Sequence, residues 1–165
     1  MEIFGIPAHP FFVHVPVVLI PVAAIGIAAT GWRKQWRRWF IIPLLALTLV
    51  GGTFSVLAAN SGEDLEHAVK RNASTAERDR ISDHVGAGET ARNLSLLFGA
   101  TALGLGAVVF LDERKQVPAW APLAVYAVVV LAGAGATVGM VVAGHSGADA
   151  AWTARLAAQA TTGGG

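Results

Sequence analysis

The chain has 165 residues, 54% of them hydrophobic and 14% charged, with a formal net charge of +1 and a mean hydropathy of +0.56. Soluble domains carry about 25% charged residues, so the composition excludes an ordinary water-soluble fold and points to a membrane protein. Cysteine is absent, which removes disulfides, thiolate metal sites and covalent haem attachment from consideration.

Four uninterrupted apolar runs follow one another, at 11–31, 39–60, 94–111 and 119–144. Each is near or above the roughly 18–20 residues that cross a bilayer core. The expected fold class is therefore an all-α integral membrane protein, a four-transmembrane-helix bundle forming one domain over 1–159. The first run has no basic segment ahead of it and is too long for a signal core, so it reads as a membrane helix. After the fourth run, "ADAAWTARLAAQ" (148–159) reads as a short C-terminal interfacial helix with Trp152 at the headgroup level. The tail "ATTGGG" (160–165) is low-complexity and expected to be disordered. Helices 1 and 2 and helices 3 and 4 form two similar hairpins, without a convincing internal repeat.

The connections set the orientation. "RKQWRR" (33–38) joins helices 1 and 2, and "DERKQVP" (112–118) joins helices 3 and 4; these two turns hold six of the twelve Lys and Arg residues. Short basic loops stay in the cytoplasm. That places the N-terminus, a long 61–89 loop and the C-terminus outside, where nine of the eleven carboxylates also fall. The expected location is a bacterial cytoplasmic membrane, with lipid as the first partner.

All five histidines fall on that outer side. In "PAHPFFVHVPVVLIPV" (7–22), Pro10 suits the first position of helix 1 with His9 as its cap. His14 lies about one turn deeper among apolar residues, and Pro16 and Pro21 free carbonyls to which it could donate. His67 sits in the charged segment "GEDLEHAVKRNASTAERDR" at helical spacing from Glu63 and reads as surface. His84 lies in "ISDHVGAGE", where Ser82 or Asp83 could cap helix 3. His145 lies between Gly144 and Gly147, as expected where helix 4 ends.

Helix ends explain the caps and glycines without explaining why three of them at one face carry imidazoles. Imidazole is the commonest protein metal ligand. Histidines converging from different helices of a bundle suit a bare metal ion or the axial positions of a haem. The candidate ligands, for either a haem b or a metal ion, are His14, His84, His145 and His9. Facing helices must supply an axial pair, so His14 with His84 is the first expectation and His14 with His145 the second. His9 is placed to reach the cofactor edge or to orient His14. Gly51, Gly52, Gly99, Gly104, Gly106, Gly133, Gly135 and Gly139 supply small surfaces, which serve close helix packing in lipid before they serve cofactor clearance; "GATVG" (135–139) fits that packing pattern.

The run "GIPAHPFFVHVPVVLIPVAA", the segment "SGEDLE" after helix 2, His84 before helix 3 and "GHSGADAAW" after helix 4 together resemble a bacterial membrane family, domain of unknown function 2231. The resemblance spans nearly the whole chain, and HPxxVHxP at 9–16 is its most specific element. It implies four membrane helices and, because some members are fused to Rieske or cytochrome-type domains, redox or haem-related work at the outer face. This chain carries no such fused domain.

Two functions follow. The first is a small integral membrane redox protein that binds haem b or a metal ion through the outer histidines and transfers electrons. The alternative is a cofactor-free accessory or assembly subunit of a larger respiratory membrane complex. Either way the expected protein partners are another membrane redox complex or a second copy of the chain. No nucleotide-binding loop, HExxH, GxSxG or dinucleotide fingerprint is present, so an electron carrier or subunit is favoured over a stand-alone enzyme. The basic residues are those of membrane-anchoring turns, which leaves nucleic-acid binding without support.

Overall fold

The computed structural model describes residues 2–71, 73–114 and 116–162. Four long helices dominate: α1 (His9–Ala29), α2 (Lys34–Lys70), α3 (Thr75–Glu113) and α4 (Ala121–Thr162). Each is long and apolar enough to cross a membrane. They pack as a ring in chain order, with α4 closing back on α1. A two-residue antiparallel bridge, β1 (Glu2–Ile3) with β2 (Ile6–Pro7), precedes α1. Its turn holds Phe4 and Gly5 at φ of 52° and 75°, the backbone twist that two-residue hairpin loops need.

Helix length is the main departure from expectation. At about 1.5 Å per residue, the 21 residues of α1 reach about 31 Å, close to the hydrocarbon thickness. The 37, 39 and 42 residues of α2, α3 and α4 reach about 55, 58 and 63 Å. Most of the segment expected as a loop at 61–89 is therefore helical. Residues 61–70 form the end of α2, and residues 75–89 form the first turns of α3. Helix 3 does not start at Ser82 or Asp83 but at Ser74, whose side chain accepts from the Glu77 amide while Glu77 Oε2 accepts from the Ser74 amide at 2.8 Å. This reciprocal capping box satisfies two amides that a helix start otherwise leaves open.

The other end of the bundle shows the same persistence. α4 does not stop near Gly144; it runs through residues 148–159 and on to Thr162 without a separate interfacial helix. The last three residues of the glycine tail lie outside the described residues. At α1, Ala8 rather than His9 precedes the first helical residue, and its carbonyl accepts from the amides of Phe11 and Phe12. His9 thereby enters the first turn, with Pro10 behind it.

Ile20, Ile27, Leu44, Phe98, Leu105 and Val129 form the centre of the core. Glycines let the helices close on it. A Cβ on Gly139 would stand 3.2 Å from the Ala91 Cα, and one on Gly51 would stand 2.9 Å from Ile20 Cδ1, so these glycines serve packing. The buried hydroxyls of Thr48, Ser55 and Ser95 donate to carbonyls one turn back on their own helices, which satisfies these three donors. At the basic-turn end, the Tyr126 hydroxyl donates to the Ala28 carbonyl at 2.6 Å and the Arg37 guanidinium stacks 5.2 Å from the Tyr126 ring, tying α4 to α1 and α2.

Candidate functional site

Because α1 is one bilayer long and its neighbours are longer, the first turn of α1 abuts the sides of the other helices rather than their ends. His9 and His84 meet there. Their ring centroids are 6.0 Å apart with the planes at 80°, an edge-to-face arrangement. His9 Nδ1 lies 2.8 Å from the Ala58 carbonyl of α2. A carbonyl only accepts, so Nδ1 carries the proton and, in the neutral ring, Nε2 keeps its lone pair. His84 Nδ1 lies 3.2 Å from Ser146 Oγ of α4. That hydroxyl already donates to the Ala143 carbonyl at 3.0 Å, so it accepts from His84, whose Nε2 is left in the same state.

The two hairpins build this site in parallel ways. In α2, Ser61 donates to the Ala58 carbonyl, the acceptor that also holds His9, and a Cβ on Gly62 would stand 3.1 Å from the His9 ring. In α4, Ser146 holds His84, and a Cβ on Gly147 would stand 2.8 Å from the His84 ring. Each imidazole is thus carried by the first helix of a hairpin and seated against a Ser-Gly pair on the second. The sequence shows this as SGED at 61–64 and SGAD at 146–149.

Beside the imidazole pair lies a cavity of about 660 Å³ lined by all four helices, within the size range of small-molecule and cofactor sites. Val13, Val17, Val69, Val85 and Met140 give it an apolar wall; His9, His14, His84, Glu63, Glu89 and Arg92 supply polar groups. Glu66 also lines it and is paired with Lys70.

The four expected ligands fare differently. His84 sits in the site, and His9 is its ring partner. His14 lines the cavity but is an exposed residue whose Nδ1 donates to the Pro10 carbonyl. His145 is exposed and absent from the cavity wall. The wall residues of α4 are Met140, Ala143, Gly144, Gly147, Ala150 and Ala151, a stripe at three- and four-residue spacing, and His145, two positions from both Ala143 and Gly147, is turned about 200° from each. The ring contact is therefore His9 with His84, and neither expected pair forms one. His67 is exposed on α2, as expected of a surface residue. Among the described residues, no group of three or more His, Cys, Asp or Glu side chains converges as a metal site. Ser61, Gly62, Ser146 and Gly147 were not singled out as site residues by sequence, although the repeated Ser-Gly-x-Asp was visible.

A family model described as "Predicted membrane protein (DUF2231)" matches residues 5–160. The chain belongs to the DUF2231 family. No curated protein and no solved structure matches it. The match takes in both hairpins of the DUF2231 chain, and with them His9, Gly62, His84 and Gly147.

The glycine seats give this DUF2231 protein a direct packing test. Gly147→Ala is expected to push the His84 ring off Ser146 and lower stability by about 1 kcal/mol, the worth of one hydrogen bond. The measurement is a lower unfolding midpoint in mixed detergent. Gly86→Ala on α3, with nothing within 4 Å of the added carbon, is expected to be neutral or slightly stabilising.

Proposed function

We propose that this DUF2231 protein is a small membrane electron carrier that holds haem b between its two hairpins through His9 and His84, on the extracytoplasmic side of a bacterial cytoplasmic membrane. The observation that carries this reading is the equivalence of the two imidazoles. Both come from the first helix of a hairpin, both have Nδ1 committed as a donor, and both keep an Nε2 lone pair. Histidine ligands are normally oriented through their other ring nitrogen in this way.

The donor set fits haem better than a bare ion. Protein-bound zinc takes three or four side-chain ligands; His9 and His84 would instead hold haem as a pair of like imidazoles, with the adjoining apolar cavity taking its body. Bound there, haem supplies one-electron chemistry. The chain's own contribution is to fix the ring orientations through Ala58 and Ser146 and to surround the site with hydrocarbon. An apolar surround and hydrogen bonding near the ligands are the protein's means of setting a potential.

The test is the absorption spectrum of the purified protein, oxidised and reduced. A reducible haem at one per chain is expected. A colourless, stable protein recovered only with a larger complex would overturn the reading in favour of an accessory subunit. The side of the membrane is tested separately, and the absence of native cysteine makes single-cysteine labelling clean. Cysteines at Gln35 and Gln116 should be shielded from an impermeant maleimide added outside, and one at Ala73 should react, as the loop-charge rule requires. The reverse pattern would place the site at the cytoplasmic face.

A further inference from the structure

One charged side chain in the cavity wall is not accounted for by the histidine pair. Arg92 lies on α3, eight residues or about 12 Å of helix rise beyond His84 and two residues before the apolar run that begins at Leu94. It is half-buried. It lines the same cavity as His9 and His84, and helical side chains lean towards the helix N-terminus, which for α3 is the histidine end. Its hydrogen-bond partner is Asn93 Oδ1, at 3.3 Å from Nε. Among the described residues no carboxylate reaches salt-bridge distance of it. The cavity's own carboxylates do not answer this charge, since Glu66 is paired with Lys70 and Glu63 and Glu89 are exposed. A cation at the edge of hydrocarbon strongly favours a partner of opposite charge, and the planar guanidinium matches carboxylate or phosphate through paired hydrogen bonds.

We propose that Arg92 anchors an acidic group on the molecule that fills the cavity, so that the site takes an anionic amphiphile with its apolar body along the valine and methionine wall. The inference rests on the reading that the cavity binds a ligand, and it names the ligand's charge. Two sources share this chemistry: the propionates of haem b and the phosphate of an anionic phospholipid.

The experiment compares haem b with its dimethyl ester, in which both acids are masked, on wild type, Arg92→Gln, Arg92→Lys and His84→Ala. Wild type should bind the diacid about ten- to a hundredfold more tightly than the diester, the range expected of a hydrogen-bonded charge pair. Arg92→Gln should bind both forms as wild type binds the diester, which also shows that the variant is folded. Arg92→Lys should keep part of the preference, and His84→Ala should lose both ligands. If wild type binds the two forms equally, the Arg92 anchor is overturned while the haem reading stands. If wild type binds neither, the haem reading falls and phosphatidylglycerol vesicles decide the anchor. Phospholipid phosphate retained at about one per chain by wild type and lost in Arg92→Gln would uphold it in its phospholipid form, and equal retention by both would overturn it.

Discussion

Replacing either His9 or His84 by alanine is expected to abolish cofactor binding, with His67→Ala and His145→Ala leaving it intact. The two active substitutions each remove an Nε2 lone pair from the pair of imidazoles whose centroids lie 6.0 Å apart. The two controls remove exposed imidazoles that do not line the cavity. Ser146→Ala should lie between these extremes, because it removes the acceptor that orients His84 and leaves the ring itself; loss of such an orienting group lowers affinity about 10- to 100-fold. His14→Ala is expected to weaken binding without abolishing it, since His14 lines the cavity but is tied to its own helix through Pro10. The measurement is the haem-to-protein ratio after purification, with the reduced spectrum as a second readout. A full complement of haem in the His84 variant would remove the pair from the mechanism and return both rings to the role of polar packing groups.

Phe98→Ala is expected to cause the largest loss of stability of any single truncation in the core, about 3 kcal/mol or more. Phe98 is 0% exposed and is among the largest fully buried side chains. It lies where three helices converge: a Cβ on Gly133 of α4 would stand 3.0 Å from both Phe98 on α3 and Ala24 on α1. Lipid is as apolar as the core, so helix association depends on packing contacts rather than on escape from water. The truncation therefore costs chiefly the contacts around the void it leaves. Unfolding in mixed detergent should show the loss, and the proposed haem site, two helical turns or more away at His84 and Ser146, should keep its binding capacity below the new midpoint. Unchanged stability would mean that the bundle collapses onto the void.

The spans and their order were legible in the sequence because an 18-residue apolar run permits few alternatives in lipid: every backbone polar group must be satisfied within the segment, and a helix does that. The surface position of His67 was legible for a similar reason, since Glu63, Asp64, Glu66 and Lys70 surround it with charge. Helix ends were not. Polarity marks where a helix leaves the hydrocarbon, which is not where the helix stops. α2, α3 and α4 instead continue well into polar sequence, held by local hydrogen bonds such as the Ser74–Glu77 capping box and by each other.

What sequence alone determined was therefore the class of molecule: four apolar helices, basic short turns at one end and histidines at the other, each following from a local property that a window of residues carries by itself. The partner of each imidazole was decided only by tertiary structure. His9 and His84 are 75 positions apart, and their contact depends on how far a short α1 rises against longer neighbours and on the rotation of each helix about its axis. Rotation is also what removes His145 from the wall while admitting Gly144 and Gly147 and turning Ser146 to His84. Which face a membrane helix turns inward is set by the packing of small residues against particular neighbours, here Gly62 on His9 and Gly147 on His84. Such pairwise contacts between distant segments leave no periodic trace within either one.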